Sequence, residues 1–142
     1  MAPADDLNGV RTLPASMLTA YRKTSYSAAG IAVRIGRRSV AMDRLLMAHG
    51  VREGALITAF NPFSRIMPPG WNRRMQVRLA DAVRRRPTLP AAGSWRRWSE
   101  DHLLVLGDVR PVRHLIVRFR QNGIVIVRRG QAAALLLGFG RV

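Results

Sequence analysis

Cysteine is absent from this chain, which excludes a disulfide framework, a thiolate nucleophile and a thiolate metal site, and suits a reducing compartment. Long apolar runs are missing too. The longest, Ala132 to Phe139, falls far short of the roughly 20 residues needed to span a bilayer as a helix, so a soluble protein without a membrane partner is expected. Met1 to Val10 has neither a basic leading region nor an apolar core segment, so it reads as a loose tail rather than a signal peptide. The three histidines, His49, His102 and His114, have no metal-ligand spacing with one another. No phosphate-binding glycine loop, nucleophile elbow or dinucleotide fingerprint is present, and Gly138-Phe139-Gly140 is not one. The common enzyme classes carried by those motifs therefore have no support, and no metal or particular cofactor is indicated.

Acidic residues are scarce, and this is the strongest compositional signal. Eight stand against 24 basic ones, giving a net charge of +16. Lys23 is the only lysine, so 23 of the 24 are arginine. Genome composition accounts for arginine over lysine but not for basic over acidic. Such a field draws in polyanions, so an anionic ligand or nucleic acid is an expected partner, and a generic basic surface is the plainer alternative.

At 142 residues the chain is read as a short tail, residues 1–13, followed by one domain over 14–142. Met17, Leu18 and Tyr21 after Pro14 predict a short helix, and Ile31, Val33 and Ile35 alternate as a half-buried strand does. Ser39 caps a predicted helix with the stripe Met42, Leu45 and Leu46, stopped by Gly50. Ala55 to Phe60 predicts a buried strand ending on Asn61-Pro62, where proline should push Asn61 to extended geometry with its side chain free. A long loop rich in proline follows. Asn72 is read as the cap of a helix to about Arg85, with Met75, Leu79, Ala82 and Val83 inward. Pro87 to Gly93 reads as a break, His102 to Leu106 as a strand, and Val112, Leu115, Ile116 and Phe119 as a helix stripe. Gly123 to Val127 predicts a central strand and Ala132 to Leu137 a last one, with a helix as the alternative for that last element. The expected fold is a mixed α/β (α+β) single domain with a central mixed sheet of about five strands and three to four helices.

Tyr21-Arg22-x-Thr24-x-Tyr26, Arg34-Ile35-Gly36, Thr58-Ala59-Phe60-Asn61-Pro62, Asn72, Trp98-Ser99-Glu100 and Gln121-Asn122 occur in an order and spacing that resemble the bacterial domain-of-unknown-function family thirty-two ninety-three, over roughly Ala20 to Leu137. The resemblance implies a bacterial cytoplasmic protein and carries no assigned activity, cofactor or catalytic residue.

In a sheet flanked by helices, ligands sit beyond the carboxyl ends of strands, which places Thr58 and Asn61 at a candidate site. Arg73 and Arg74 in the first turn after Asn72 conflict with the helix dipole unless an anion is bound there, although an ordinary cap with solvated arginines explains them too. Arg74, Arg78 and Arg85 share a helix face with Asp81, which can bridge to Arg78 and Arg85. Tyr21, Arg22, Thr24, Tyr26, Gln121 and Asn122 are further candidate ligand contacts. Trp95-Arg96-Arg97-Trp98 mixes stacking rings with cations, with Trp98 read as an anchor and Trp95 as freer to touch a ligand. Glu100 is the candidate general base, although surrounding cations should lower its pKa and make it an ion-pair partner instead. Three readings follow: a protein binding an anionic, nucleotide-like or nucleic-acid ligand; a small enzyme on the same cleft with Glu100 as base; or a basic interaction protein with no ligand site. Oligomeric state is open.

Overall fold

A computed structural model describes residues 4–5 and 11–138 of the chain. Most of the expected tail, and the Phe139-Gly140 end, lie outside the described residues. Within the tail, Ala4–Asp5 (β1) pairs antiparallel with Arg11–Thr12 (β2). Then come α1 (Ala15–Lys23), β3 (Ser25–Ala28), β4 (Ile31–Val33), α2 (Val40–Ala48) and β5 (Glu53–Ile57). They are followed by α3 (Pro69–Ala82), β6 (Thr88–Trp95), β7 (Trp98–Leu106), α4 (Arg113–Arg118), β8 (Gly123–Arg128) and β9 (Ala134–Leu137). The architecture is α+β, with more strands than the five expected: seven strands form one sheet in the order β4-β3-β6-β7-β5-β8-β9.

All strand pairs in that sheet are antiparallel, so the expected mixed sheet is corrected. A single parallel bridge, Ile35 to Ala133, joins the segment after β4 to the segment before β9. These are the outermost strands of the order, so their meeting curls the sheet into a half-barrel. Successive side chains of a strand point to opposite faces, and here both faces are covered. Ala55 and Ile57, Val105, and Ile124 and Ile126 pack outward on Leu79 of α3, on Val83 just after it, and on Leu115 and Ile116 of α4. Leu56, Leu104 and Leu106, and Val125 and Val127 pack inward on Met42 and Leu46 of α2. Double coverage is why Ala55–Ile57 and Gly123–Val127 read as unbroken apolar runs.

Several boundaries differ from the expected ones for definable reasons. The α2 helix is capped as predicted, Ser39 accepting from the Met42 amide. The β5 strand stops at Ile57 rather than Phe60 because side chains capture the next amides: Gln76 Oε1 accepts from Ala59 N at 2.9 Å and Thr58 Oγ1 from Phe60 N at 3.0 Å. Helix α3 begins at Pro69, so Asn72 is no cap, and its amide already bonds the Pro68 carbonyl at 3.1 Å. Pro87 to Gly93 is not a break, since it runs into β6. Pro90 is tolerated there because β6 meets β3 only from Ala91 to Ser94, leaving the proline's own nitrogen without a ladder partner to satisfy on that side.

Candidate functional site

Inward-facing positions change character along each strand. On β7 the same face carries Leu106 and Leu104, then His102, Glu100 and Trp98. On β5 it passes from Leu56 to Thr58, on β8 from Val125 to Gly123, and on β3 from Ala28 to Tyr26, with Thr24 just before the strand. Helix α2 fills the apolar end. At the other end α1 lies over the sheet without a fully buried residue of its own, and a cleft of about 700 Å³ remains between them. That is the size of an ordinary small-molecule site.

Of the residues expected at a site, Tyr21, Thr24, Tyr26, Thr58, Asn61, Glu100 and Gln121 line this cleft. Arg22, Arg73 and Arg74 are exposed elsewhere, and Asn72 and Asn122 are buried behind the wall. The expected anion site at a helix start on Asn72 is therefore absent from the cleft. Asp81 pairs with Arg84 rather than with Arg78 or Arg85. Ligand sites beyond strand carboxyl ends are a feature of parallel sheets, not of this antiparallel one. Thr58 and Asn61 reach the cleft instead because β5 ends where the half-barrel opens.

Asn61 is neither extended nor free. Its φ of 47° and ψ of 69° lie in the left-handed region, which asparagine enters more readily than most residues. The side chain is engaged at both ends: Oδ1 accepts from Met67 N (2.9 Å) and Asn72 Nδ2 (3.0 Å), and Nδ2 donates to Glu100 Oε1 (2.9 Å). Asn72 Oδ1 returns the contact by accepting from Asn61 N at 3.0 Å. Phe63 and Ser64 also have positive φ, 50° and 63°. Three non-glycine residues of one four-residue segment thus hold a costly backbone beside the cleft, as strained functional sites do.

Glu100 is 6% exposed, and burial drives its carboxyl up to about 7, opposed by the Asn61 hydrogen bond. No ion pair reaches it among the described residues, which overturns the expected cation-lowered pKa and the ion-pair role. Excess positive charge sits on the surface, where solvent screens it, while desolvation acts locally. Burial likewise raises both tyrosine hydroxyls, with Glu100 adding to each; Tyr21 also accepts from the Gly123 amide, and Tyr26 bonds Thr24. His102 is held neutral, down to about 4 by burial, with Nδ1 donating to the Glu100 carbonyl at 3.1 Å. The rings of Tyr26 and His102 meet edge to face at 5.5 Å.

Gly93 makes that meeting possible. It lies between Tyr26 on one side and Glu100 on the other, and a Cβ there would come within 2.9 Å of His102 Cε1 and 3.2 Å of Tyr26 Cε1. Thr58 Oγ1 donates to the Asp101 carbonyl, and Gln121 Nε2 to Phe60 O at 3.0 Å. Asn122 Nδ2 donates to Ser64 Oγ at 3.2 Å, bracing the strained segment. These side chains build the wall more than they offer free groups.

The mouth belongs to the β6–β7 turn. Trp95 pairs with Trp98 across it, and both line the cleft with Arg96 and Arg97. Arg96 lies over the Trp95 ring at 4.6 Å, while Trp98 is 40% exposed. The expected roles are thus reversed: Trp98 is the freer ring. Sequence reasoning missed His102, Gln76 and the α1 residues Ser16 and Met17; the alternation Trp98, Glu100, His102, Leu104, Leu106 was the signal that would have found His102. Among the described residues no three acidic or histidine side chains gather where they could hold a metal ion, and no helix is long and apolar enough to cross a membrane.

The fold and cleft define a small α+β half-barrel with one polar end. Residues 57–124 match the model of a family described as a protein of unknown function (DUF3293), so the chain resembles that family across the Thr58–Pro62 corner, Asn72, the Trp98–Glu100 segment and Gln121-Asn122. The Tyr21–Tyr26 and Arg34–Gly36 landmarks lie outside the matched span. No curated protein and no solved structure matches the chain.

Proposed function

We propose that the cleft binds an anionic ligand with a planar ring, a nucleotide or a nucleotide-like molecule. One observation carries this reading: Trp98, Trp95, Arg96 and Arg97 occupy the mouth of the same cavity whose floor holds Glu100, Tyr26 and Thr58. Tryptophan faces stack on bases and arginine pairs with phosphate, while a floor without cations takes the uncharged part of the ligand. Calorimetric titration with nucleoside monophosphates and inorganic phosphate at two salt concentrations tests it. Nucleotide binding that survives added salt and weakens in Trp98→Ala and Arg97→Ala is the expected result. Binding equal to that of bare phosphate, or abolished by salt, would leave only a basic surface. Short oligonucleotides in the same panel separate a mononucleotide site from a single-strand groove.

A second reading is favoured by Glu100 itself. A buried carboxyl at about 7 matches the working pH of a general base, so the same ligand can be a substrate, with Glu100 taking its proton. Turnover rising with pH through about 7 and lost in Glu100→Gln with binding intact would establish it; absence of turnover on any nucleotide or phosphoester that binds would remove it. A bacterial cytoplasmic setting belongs to the same proposal, supported by the lack of cysteine and by the family resemblance.

A further inference from the structure

Resting on the nucleotide reading, we propose that the floor of the cleft is a guanine site, in which the Glu100 carboxylate accepts from the two adjacent N–H donors of a guanine edge while Arg96 and Arg97 hold the phosphate end.

Glu100 is short of hydrogen-bond donors. Its Oε1 receives one hydrogen bond, from Asn61, and Oε2 receives none among the described residues. A carboxylate offers about four acceptor sites; Glu100 lines the cleft and is not among the sealed-off partnerless atoms of the described residues, so its spare acceptor sites open to whatever fills the cavity. The chain carries a net +16, yet no arginine pairs with this carboxylate. The groups facing it are Tyr21 from α1 and Tyr26 from β3, with His102 on its own strand and Asn61 from the loop. Neither tyrosine hydroxyl is hydrogen-bonded to the carboxylate, and the His102 Nδ1 proton is spent on a carbonyl. The missing donors are therefore left for a ligand to supply.

Base chemistry then discriminates. In its ionised form, above about pH 7, the carboxyl only accepts, so it fits an edge with donors side by side, whereas the protonated form would set a donor beside an acceptor. Guanine presents its ring N–H next to its amino group. Adenine and cytosine place an acceptor beside their amino donor, and uracil flanks its one N–H with two carbonyls. Each of those sets an acceptor against Glu100, and a buried site built for donors rejects such a mismatch strongly. The carboxyl is fixed in place by Asn61, itself held by Asn72 and Met67, and such second-layer support sharpens discrimination.

Isothermal titration of the full chain with GMP, IMP and AMP at one salt concentration and at about pH 8, where Glu100 is ionised, tests the proposal. GMP is expected to bind at least about tenfold tighter than AMP, with IMP, which keeps the ring N–H but lacks the amino group, in between. Glu100→Gln should erase the GMP advantage, since its amide sets a donor beside an acceptor and so matches adenine rather than guanine. Equal affinities in the wild-type protein, or an advantage that persists in the variant, would overturn the guanine site while leaving nucleotide binding standing. No binding of any of the three would remove the nucleotide reading and this inference with it. The wild-type ranking decides the matter even if the variant folds poorly.

Discussion

The two ends of the half-barrel interior are built on the same strands and the same face, yet one is sealed and the other open. At the α2 end Leu46, Leu56 and Leu104 are 0–1% exposed and interlock as an apolar core. At the α1 end the positions two and four residues further along carry Thr58, His102 and Glu100, also buried, with Thr58 and Glu100 lining a cavity. Apolar side chains gain by filling space, whereas these polar ones are held by specific hydrogen bonds that leave a void between them. Stability therefore concentrates at the first end and chemistry at the second.

The sharpest way to break that contrast is Leu46→Ala. Removing a fully buried leucine should cost about 2–5 kcal/mol, read by urea denaturation, while nucleotide affinity of the folded fraction stays unchanged. A loss below about 1 kcal/mol would mean that the sealed end is not where stability resides.

A pH series comes next. Glu100, raised from 4.5 to about 7, keeps its proton in the folded state while the unfolded chain ionises, so its contribution is present below pH 4.5 and lost as pH rises to about 7, on the order of 3 kcal/mol in all. His102, lowered from 6.5 to about 4, works oppositely: its contribution is present above pH 6.5 and lost as pH falls to about 4. Between pH 4.5 and 6.5 the two slopes offset each other. In Glu100→Gln the histidine slope should stand alone, so stability climbs with pH across that window. A variant whose profile stays as flat as the wild type would show that the two groups are not buried as described.

Gly93→Ala should cost about 1–3 kcal/mol, because the added methyl meets His102 and Tyr26 and has no open space to enter. Thermal unfolding measures that cost, and an unchanged melting temperature would mean the rings are not packed over Gly93. The smallest stability change is expected for Trp98→Ala, within about 0.5 kcal/mol as for an exposed position. It should nonetheless weaken ligand binding by about 1–3 kcal/mol if a base stacks there. A large stability loss with intact binding would make Trp98 the anchor it was first read as.

Much of the fold was legible in residue order. The Ser39 cap, the Met42–Leu46 stripe, the Val112–Phe119 stripe and the two apolar runs at Ala55 and Gly123 fell where periodicity put them. What was missed followed from long-range partners. Nothing local announces that Gln76, 17 residues away, caps the Ala59 amide and ends β5 early, or that Pro90 sits where β6 has no β3 neighbour. At the site, Thr58, Asn61, Glu100 and the two tyrosines were legible as polar interruptions of apolar patterns. Their pairing was not, because Asn61 and Glu100 lie 39 residues apart.

By itself the sequence determined the types of most elements, β6 excepted, the polar corner after β5, the aromatic-basic Trp95–Trp98 segment, and a strongly positive charge, since each follows from local periodicity, turn chemistry or composition. Only the tertiary structure decided that the sheet is antiparallel and curled, that Trp98 rather than Trp95 is the open ring, and that Glu100 is a solitary buried carboxyl instead of an ion-pair partner. Those outcomes depend on which strands meet and on local desolvation, and both are set by contacts across the chain rather than along it.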